Sequence, residues 1–238
     1  MRVTIPAVIV FDLDDTLYLE RDFVRSGFRA AGAWLEDTAG LPGLEERCLA
    51  LFESGHRSRI FDMALEGMEV HNADVIVPQL VEIYSCHRPE ITLTEDADRY
   101  LGRQKNGERY ALITDGIAET QAAKVRSLGL YARLGHVICT GAWGPGFGKP
   151  HPRAFEAVEA WSGKSGCDLV YVADNPTKDF VTPRARSWQT VQILRPERVH
   201  HLEAPDAAHK AHTAITSLDE LDDSVARLRG IDNRVSRS

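Results

Sequence analysis

The sequence predicts an α/β fold: a parallel sheet with helical crossovers, interrupted after its first strand by a helical insertion. Three observations predict it. Short, nearly continuous apolar runs recur at residues 7–11, 110–113, 136–139, 169–172 and 190–194, as expected of strands buried on both faces. Helix-patterned stretches separate the later runs, and alternation of this kind implies parallel strands. The segment from about Tyr18 to Leu93 breaks the alternation, with helical patterning and no buried-strand signal.

The elements follow in order. After the strand at 7–11, the insertion carries helical stretches at 28–35, 44–52 and 75–86, with turns at 40–43 and 88–89. A strand at 110–113 leads to a helix at 119–128, whose Ala122, Val125 and Leu128 form a stripe ended by Gly129. The strand at 136–139 precedes a helix opened by Pro152, with Phe155, Val158 and Trp161 along one side and Gly163 past its end. Strands at 169–172 and 190–194, a short strand at 213–215 and a helix at 218–228 complete the core, and the polar tail 232–238 is expected to fray. The expected division is a core of 1–17 with 94–238 and an inserted unit of 18–93.

Composition bounds the function classes. The 238 residues carry 28 Lys+Arg against 35 Asp+Glu, a net charge of −7, with 43% hydrophobic and 26% charged residues. That balance excludes a disordered chain and argues against a broad surface for nucleic acid or anionic membrane, while leaving a local cationic pocket open. No apolar run approaches the roughly 20 residues that cross a bilayer. The run 5–11 is too short for a signal peptide and ends in acids, so a cytoplasmic location is expected. Cys48, Cys86, Cys139 and Cys167 lie far apart with no C-x-x-C pair, which points to neither disulfides nor zinc.

Ligands of an open parallel sheet collect outside the carboxyl ends of its strands. The first strand runs into Asp12-Leu13-Asp14-Asp15-Thr16, the second into Thr114-Asp115-Gly116, and the fourth into Asp174, with Asp179 five residues on. A Gly-rich loop, 141–148, delivers Lys149 to the same edge; Trp143 and Pro150 rule it out as a P-loop. Singly, each acid reads as a turn or helix cap and the lysine as a solvated loop residue. Together they supply carboxylates, a hydroxyl, amides and one ammonium, an inventory suited to a hard cation plus a phosphate.

Four segments carry a resemblance to the haloacid dehalogenase (HAD) superfamily. Phe11-Asp12-Leu13-Asp14-Asp15-Thr16-Leu17 resembles its D-x-D-x-T motif, and Leu112-Ile113-Thr114-Asp115-Gly116 its second motif. Lys149-Pro150-His151-Pro152-Arg153-Ala154-Phe155 resembles the K-P-x-P-x-x-F form of the third, and Val172-Ala173-Asp174-Asn175-Pro176-Thr177-Lys178-Asp179 the fourth, with Ala173 where many members have Gly. The resemblance implies a Rossmann-like, doubly wound parallel core. It also implies an inserted α-helical cap, as in the subclass of phosphoglycolate phosphatases, pyrimidine nucleotidases, N-acylneuraminate-9-phosphate phosphatases and L-2-haloacid dehalogenases.

The same resemblance implies roles for the residues. Asp12 is the expected nucleophile, forming an aspartyl-phosphate, and Asp14 the acid that protonates the leaving alkoxide and then deprotonates water. Leu13, Thr114, Asp115, Gly116 and Lys149 are the expected phosphate site, with Asp12. Mg²⁺ is the expected cofactor, held by Asp12, Asp174 and the main-chain carbonyl of Asp14, with Asp179 acting through a water. The expected function is a Mg²⁺-dependent phosphatase of a small phosphorylated metabolite, a sugar phosphate or nucleotide, with no nucleic-acid polymer or membrane as partner. A 2-haloacid dehalogenase, a phosphomutase and a non-catalytic binding module are the alternatives; the first is disfavoured because an aromatic residue usually replaces Asp14 in dehalogenases. His200, His201, His209 and His212 read as a solvated loop, while Arg57, Arg59, His87 and Arg88 are the first candidates for reading the substrate from the cap.

Overall fold

A computed structural model describes residues 8–68, 70–103 and 109–235, with side chains through residue 230. Residue 7, expected to open the first strand, and residues 236–238 of the expected tail lie outside the described residues. The chain divides into two compact units, Met1–Glu20 with Thr92–Ser238, and Arg21–Ile91.

The first unit is a doubly wound α/β core. Its strands are β1 (Val8–Phe11), β2 (Arg109–Thr114), β3 (His136–Cys139), β4 (Leu169–Ala173), β5 (Gln189–Ile193) and β6 (Thr213–Ile215). They form one parallel sheet in the order β3-β2-β1-β4-β5-β6. Both flanks of β1 are occupied, so the chain winds outward from it in two directions, and the crevice of such a sheet opens at the carboxyl end of that strand. All four residues of β1 are buried. Val8 and Val10 join Ile113, Phe155, Val158, Tyr171 and Trp188 in one cluster, while Phe11 meets Tyr100 and Tyr110 edge-on at 6.0 and 5.9 Å. Apolar contact on both faces explains why the strands read as unbroken apolar runs.

The second unit is helical. From residue 21 it takes in α1 (Glu20–Ala39), then α2 (Leu44–Glu53), α3 (Ile60–Leu65) and α4 (Ala73–Cys86). Val24, Phe28, Ala31 and Leu35 of α1 pack with Leu44, Cys48, Phe61, Ala64 and Leu80 in a core of their own. In the first unit, α5 (Glu95–Gly102), α6 (Ala118–Ser127), α7 (Arg153–Ser162), α8 (Val181–Ala185) and α9 (Leu221–Val235) complete the order.

Three helical expectations need correction. α1 begins eight residues before the expected Phe28, because Phe23 and Val24 extend the same buried face. The buried arc of α6 is Gln121, Lys124 and Val125, with Leu128 just past its end; of the expected stripe only Ala122 lies off it. α9 continues to Val235, so residues 232–235 are helical where fraying was expected.

Candidate active site

The loop after β1 is a tight, buried turn. Thr16 N and Leu17 N both donate to the carbonyl of Leu13, and Asp15 takes a positive φ of 51°. Asp15 Oδ1 accepts from Glu20 N (2.9 Å) at the start of α1, and its Oδ2 from Val199 N (2.6 Å). Arg195 donates twice to the carbonyl of Thr16 (2.9 and 2.6 Å) and is paired with Asp96. These bonds pin the loop from both sides. The side chain of Leu13 is fully buried, which leaves only its backbone open to a ligand.

The sheet edge converges as the strand ends require. Lys149 Nζ is fully buried, 2.5 Å from Asp12 Oδ1, 2.8 Å from Asp179 Oδ1 and 3.0 Å from the Tyr171 hydroxyl. Burial disfavours its charge, but the carboxylates of Asp12 and Asp179 outweigh that and hold the ammonium well above its ordinary pKa. Asp115 serves as scaffold. Its carboxylate accepts from Thr140 Oγ1 (2.8 Å), Lys149 N (3.1 Å) and Lys178 Nζ (3.0 Å), fixing the lysine-bearing loop. Close approach also explains a glycine in that loop, since a Cβ on Gly141 would lie 2.0 Å from the carbonyl oxygen of Gly116.

One carboxylate oxygen from each of Asp12, Asp174 and Asp179 lies within 4.8 Å of the others. Burial and the charges of Asp12, Asp179 and Asp15 push Asp174 up to about 9. Burial also raises Asp12 to about 6, despite the opposing charge of Lys149. Three clustered, buried carboxylate oxygens, two of them sharing the Lys149 ammonium, are the donor set of a hard cation, so these residues fit Mg²⁺. The side chain of Asp14 stands outside that trio. Tyr18 donates a short hydrogen bond to its Oδ1, Lys124 Nζ pairs with the same oxygen at 2.7 Å, and Gln121 Nε2 donates to Oδ2 at 3.0 Å. Burial pushes the Asp14 carboxyl up, but the Lys124 charge and these bonds outweigh it and hold the group below its ordinary value.

A cleft of about 190 Å³ brings Asp12, Asp14, Asp115 and Asp174 together with Glu20, Asn175, Lys178 and His200. A larger groove of about 660 Å³ beside α6 and β3 is lined by Glu119, Ala122, Tyr131, Val137 and Trp143 among others; it gathers no set of carboxylates, so size does not mark the site.

The expectation of a solvated histidine loop holds for His201 and His212, which are exposed, and is corrected for His200 and His209, which are half-buried. His200 lines the cleft with Nε2 3.7 Å from Glu20 Oε2, because the bond from Val199 N to Asp15 draws its loop inward. His212 Nδ1 accepts from Thr190 N at 3.1 Å, and His209 pairs with Asp206. In the helical unit, His87 is bonded to Ser26 Oγ (2.9 Å) and the carbonyl of Tyr84 (2.7 Å), Arg57 to the carbonyl of Phe52 (2.6 Å) and Arg59 to Asp62, while Arg88 is exposed. The motif reading missed Gln121, Lys124, Tyr171 and Lys178.

Fold and site together define an α/β protein with a lysine–carboxylate centre at the switch point of its sheet. The family model of haloacid dehalogenase-like hydrolases matches residues 6–184, and the chain belongs to that family. It is 32% identical over 160 residues to a phosphoserine phosphatase of Thermus thermophilus, an alignment covering 66% of this chain and 62% of that protein, under two thirds of its length. It is 26% identical over 197 residues to a glyceraldehyde 3-phosphate phosphatase of Methanocaldococcus jannaschii, covering 79% and 84%. The fold resembles that of a 2-haloacid dehalogenase from Pseudomonas syringae, with a TM-score of 0.62 and 23% identity over 93% of this chain and 98% of the other. Among the described residues, no helix is long and apolar enough to cross a membrane.

Proposed function

We propose that this protein is a Mg²⁺-dependent phosphatase of a small phosphorylated metabolite, acting through an aspartyl-phosphate on Asp12. The observation that carries the reading is the placing of Asp12 against Lys149 at 2.5 Å, beside the buried carboxylates of Asp174 and Asp179. The names of the two phosphatase relatives support it. So does the small volume of the cleft, which suits a compact ester.

Asp12 attacks phosphorus in line; the bond to the leaving oxygen breaks, and the departing alkoxide takes a proton from Asp14. Asp14, an anion beside Lys124 before substrate binds, takes that proton from solvent as the phosphoryl dianion enters, since like-charge repulsion raises its proton affinity. A water then attacks the acyl phosphate and gives its proton to Asp14, and Asp12 leaves as carboxylate. Lys149 neutralises charge throughout, and Thr114 with the amides of Leu13, Asp115 and Gly116 holds the phosphate oxygens. Asp12, Asp174 and the main-chain carbonyl of Asp14 would hold Mg²⁺, with Asp179 through a water. The ion supplies charge neutralisation between nucleophile and phosphate. A carboxylate at 14 argues against halide displacement, which needs no acid.

The 21–91 unit is assigned the role of helical cap, selecting the leaving group. The free cysteines fit a reducing, cytoplasmic setting. The deciding experiment is phosphate release across a panel of phosphorylated metabolites with Mg²⁺ and with chelator, for wild type and Asp12→Asn. Release that needs Mg²⁺ and is lost in the variant is expected. Undiminished release from the Asp12→Asn protein, with deamidation excluded, overturns the assignment.

A further inference from the structure

We propose that Lys124 and Gln121 are positioning residues that hold Asp14 in its working rotamer and couple it to Thr114; this rests on the phosphatase reading. The starting point is an anomaly on α6. Its inward arc buries Gln121 (2% exposed) and Lys124 (5% exposed) beside Val125, where a helix packed on a sheet ordinarily presents apolar side chains. A buried ammonium is tolerated only when paired. Its partner is Asp14 at 2.7 Å, 110 residues away in sequence.

Both carboxylate oxygens of Asp14 are thereby engaged. Oδ1 faces Lys124 Nζ and the Tyr18 hydroxyl, and Lys124 Nζ also stands 5.9 Å from the centre of the Tyr18 ring. Oδ2 accepts from Gln121 Nε2 at 3.0 Å, and the same amide nitrogen donates to Thr114 Oγ1 at 2.5 Å. The carboxyl is fixed against rotation, and the hydroxyl proposed to hold a phosphate oxygen is fixed to the same amide. A turn of Asp14 about its side-chain bonds breaks three contacts at once, while the arrangement leaves Asp12 and its Lys149 partner untouched. One helix face thus sets the distance between the acid–base group and the phosphate site, which is what a positioned proton donor requires.

A residue that merely holds α6 in place lowers all activities together. One that aims the proton donor matters most when the leaving oxygen is basic. The test is kcat/KM for p-nitrophenyl phosphate and phenyl phosphate, which differ in leaving-group basicity, in wild type, Lys124→Met and Gln121→Met. Gln121→Met keeps the side-chain length and Lys124→Met shortens it by one atom; both remove the donor. The expected result is a fall on both esters, with the p-nitrophenyl to phenyl ratio rising at least about tenfold in Lys124→Met and in the same direction in Gln121→Met. A burst of p-nitrophenolate should appear as water activation slows and phosphoenzyme accumulates. Unfolding midpoints establish that the compared proteins are folded; if Lys124→Met fails to fold, the neutral exchange Gln121→Met decides alone. Parallel loss on the two esters, or wild-type values for both, overturns the inference while leaving the phosphatase reading intact. No release from either ester by the wild type overturns that reading, and the inference falls with it.

Discussion

Asp174→Asn should stabilise the metal-free protein, in the direction opposite to most substitutions of a buried polar residue. Asp174 is 8% exposed; burial and then the charges of Asp12, Asp179 and Asp15 raise it from 3.8 to about 9. At pH 7 the folded site therefore holds a proton that the unfolded chain has released. A folded pKa above the unfolded one makes the contribution most favourable below 3.8 and progressively lost as pH rises through 9. Each unit in that window costs about 1.4 kcal/mol, so the cost reaches a few kcal/mol at pH 7 and is smaller at pH 5. Asparagine keeps the shape and cannot ionise, so it removes this cost. At about 2–4 °C per kcal/mol for a chain of this size, the pH 7 midpoint should rise by several degrees, and by more than at pH 5. Mg²⁺ should reverse the ranking, since cation binding replaces the proton in the wild type and finds a weaker ligand in the variant. Thermal unfolding at pH 5, 7 and 8.5, in chelator and in Mg²⁺, measures both effects. Equal midpoints for the two proteins in chelator at pH 7, together with equal gains from Mg²⁺, would refute the crowding of carboxylates on which the metal assignment rests.

Two further outcomes test the surrounding framework. Arg195→Met should cost about 3–5 kcal/mol in urea unfolding at neutral pH, because it strips a buried partner from Asp96 and two donors from the Thr16 carbonyl; a loss below about 1 kcal/mol contradicts it. His87→Ala should destabilise the 21–91 unit by about 1–3 kcal/mol through its bonds to Ser26 and Tyr84, and leave the ranking of substrates unchanged, a prediction that a reordered substrate panel would contradict.

The strands were legible because a parallel sheet covered on both faces demands uninterrupted apolar residues, and few other structures do. β3 and β6 fall at the expected bounds, β1 ends at the expected Phe11, and β2, β4 and β5 differ by a residue at one or both ends. Helices of ten to fourteen residues were mostly legible, while the shortest were not and α1, the longest, was read only at 28–35. α3 spans six residues, too few for a 3.6-residue period to repeat, and α5 spans eight, with Glu95, Asp96 and Asp98 crowding its first turn. The end of α9 was hidden for a different reason. The polar residues 232–234 match either a frayed tail or the end of a helix, and composition cannot separate the two.

The candidate site divides along the same physical line. Asp12, Asp14, Thr114, Lys149, Asp174 and Asp179 sit at or just beyond strand ends or on the loop that follows one, so position along the chain alone places them at one edge. Lys124 and Gln121 lie mid-helix, where the direction of a side chain depends on which arc faces the sheet. The apolar residues Ala122, Val125 and Leu128 suggest one arc; the structure turns the helix so that residues 121, 124, 125 and 128 face in. That choice buries an ammonium, which apolar patterning alone argues against. It is stable because Asp14 arrives from the loop after β1 to neutralise the charge at 2.7 Å. The signal is thus a property of the pair: neither α6 nor the β1 loop carries it alone. His200 repeats the case, since a backbone bond to Asp15 rather than any property of the imidazole turns a surface-reading loop into a wall of the cleft.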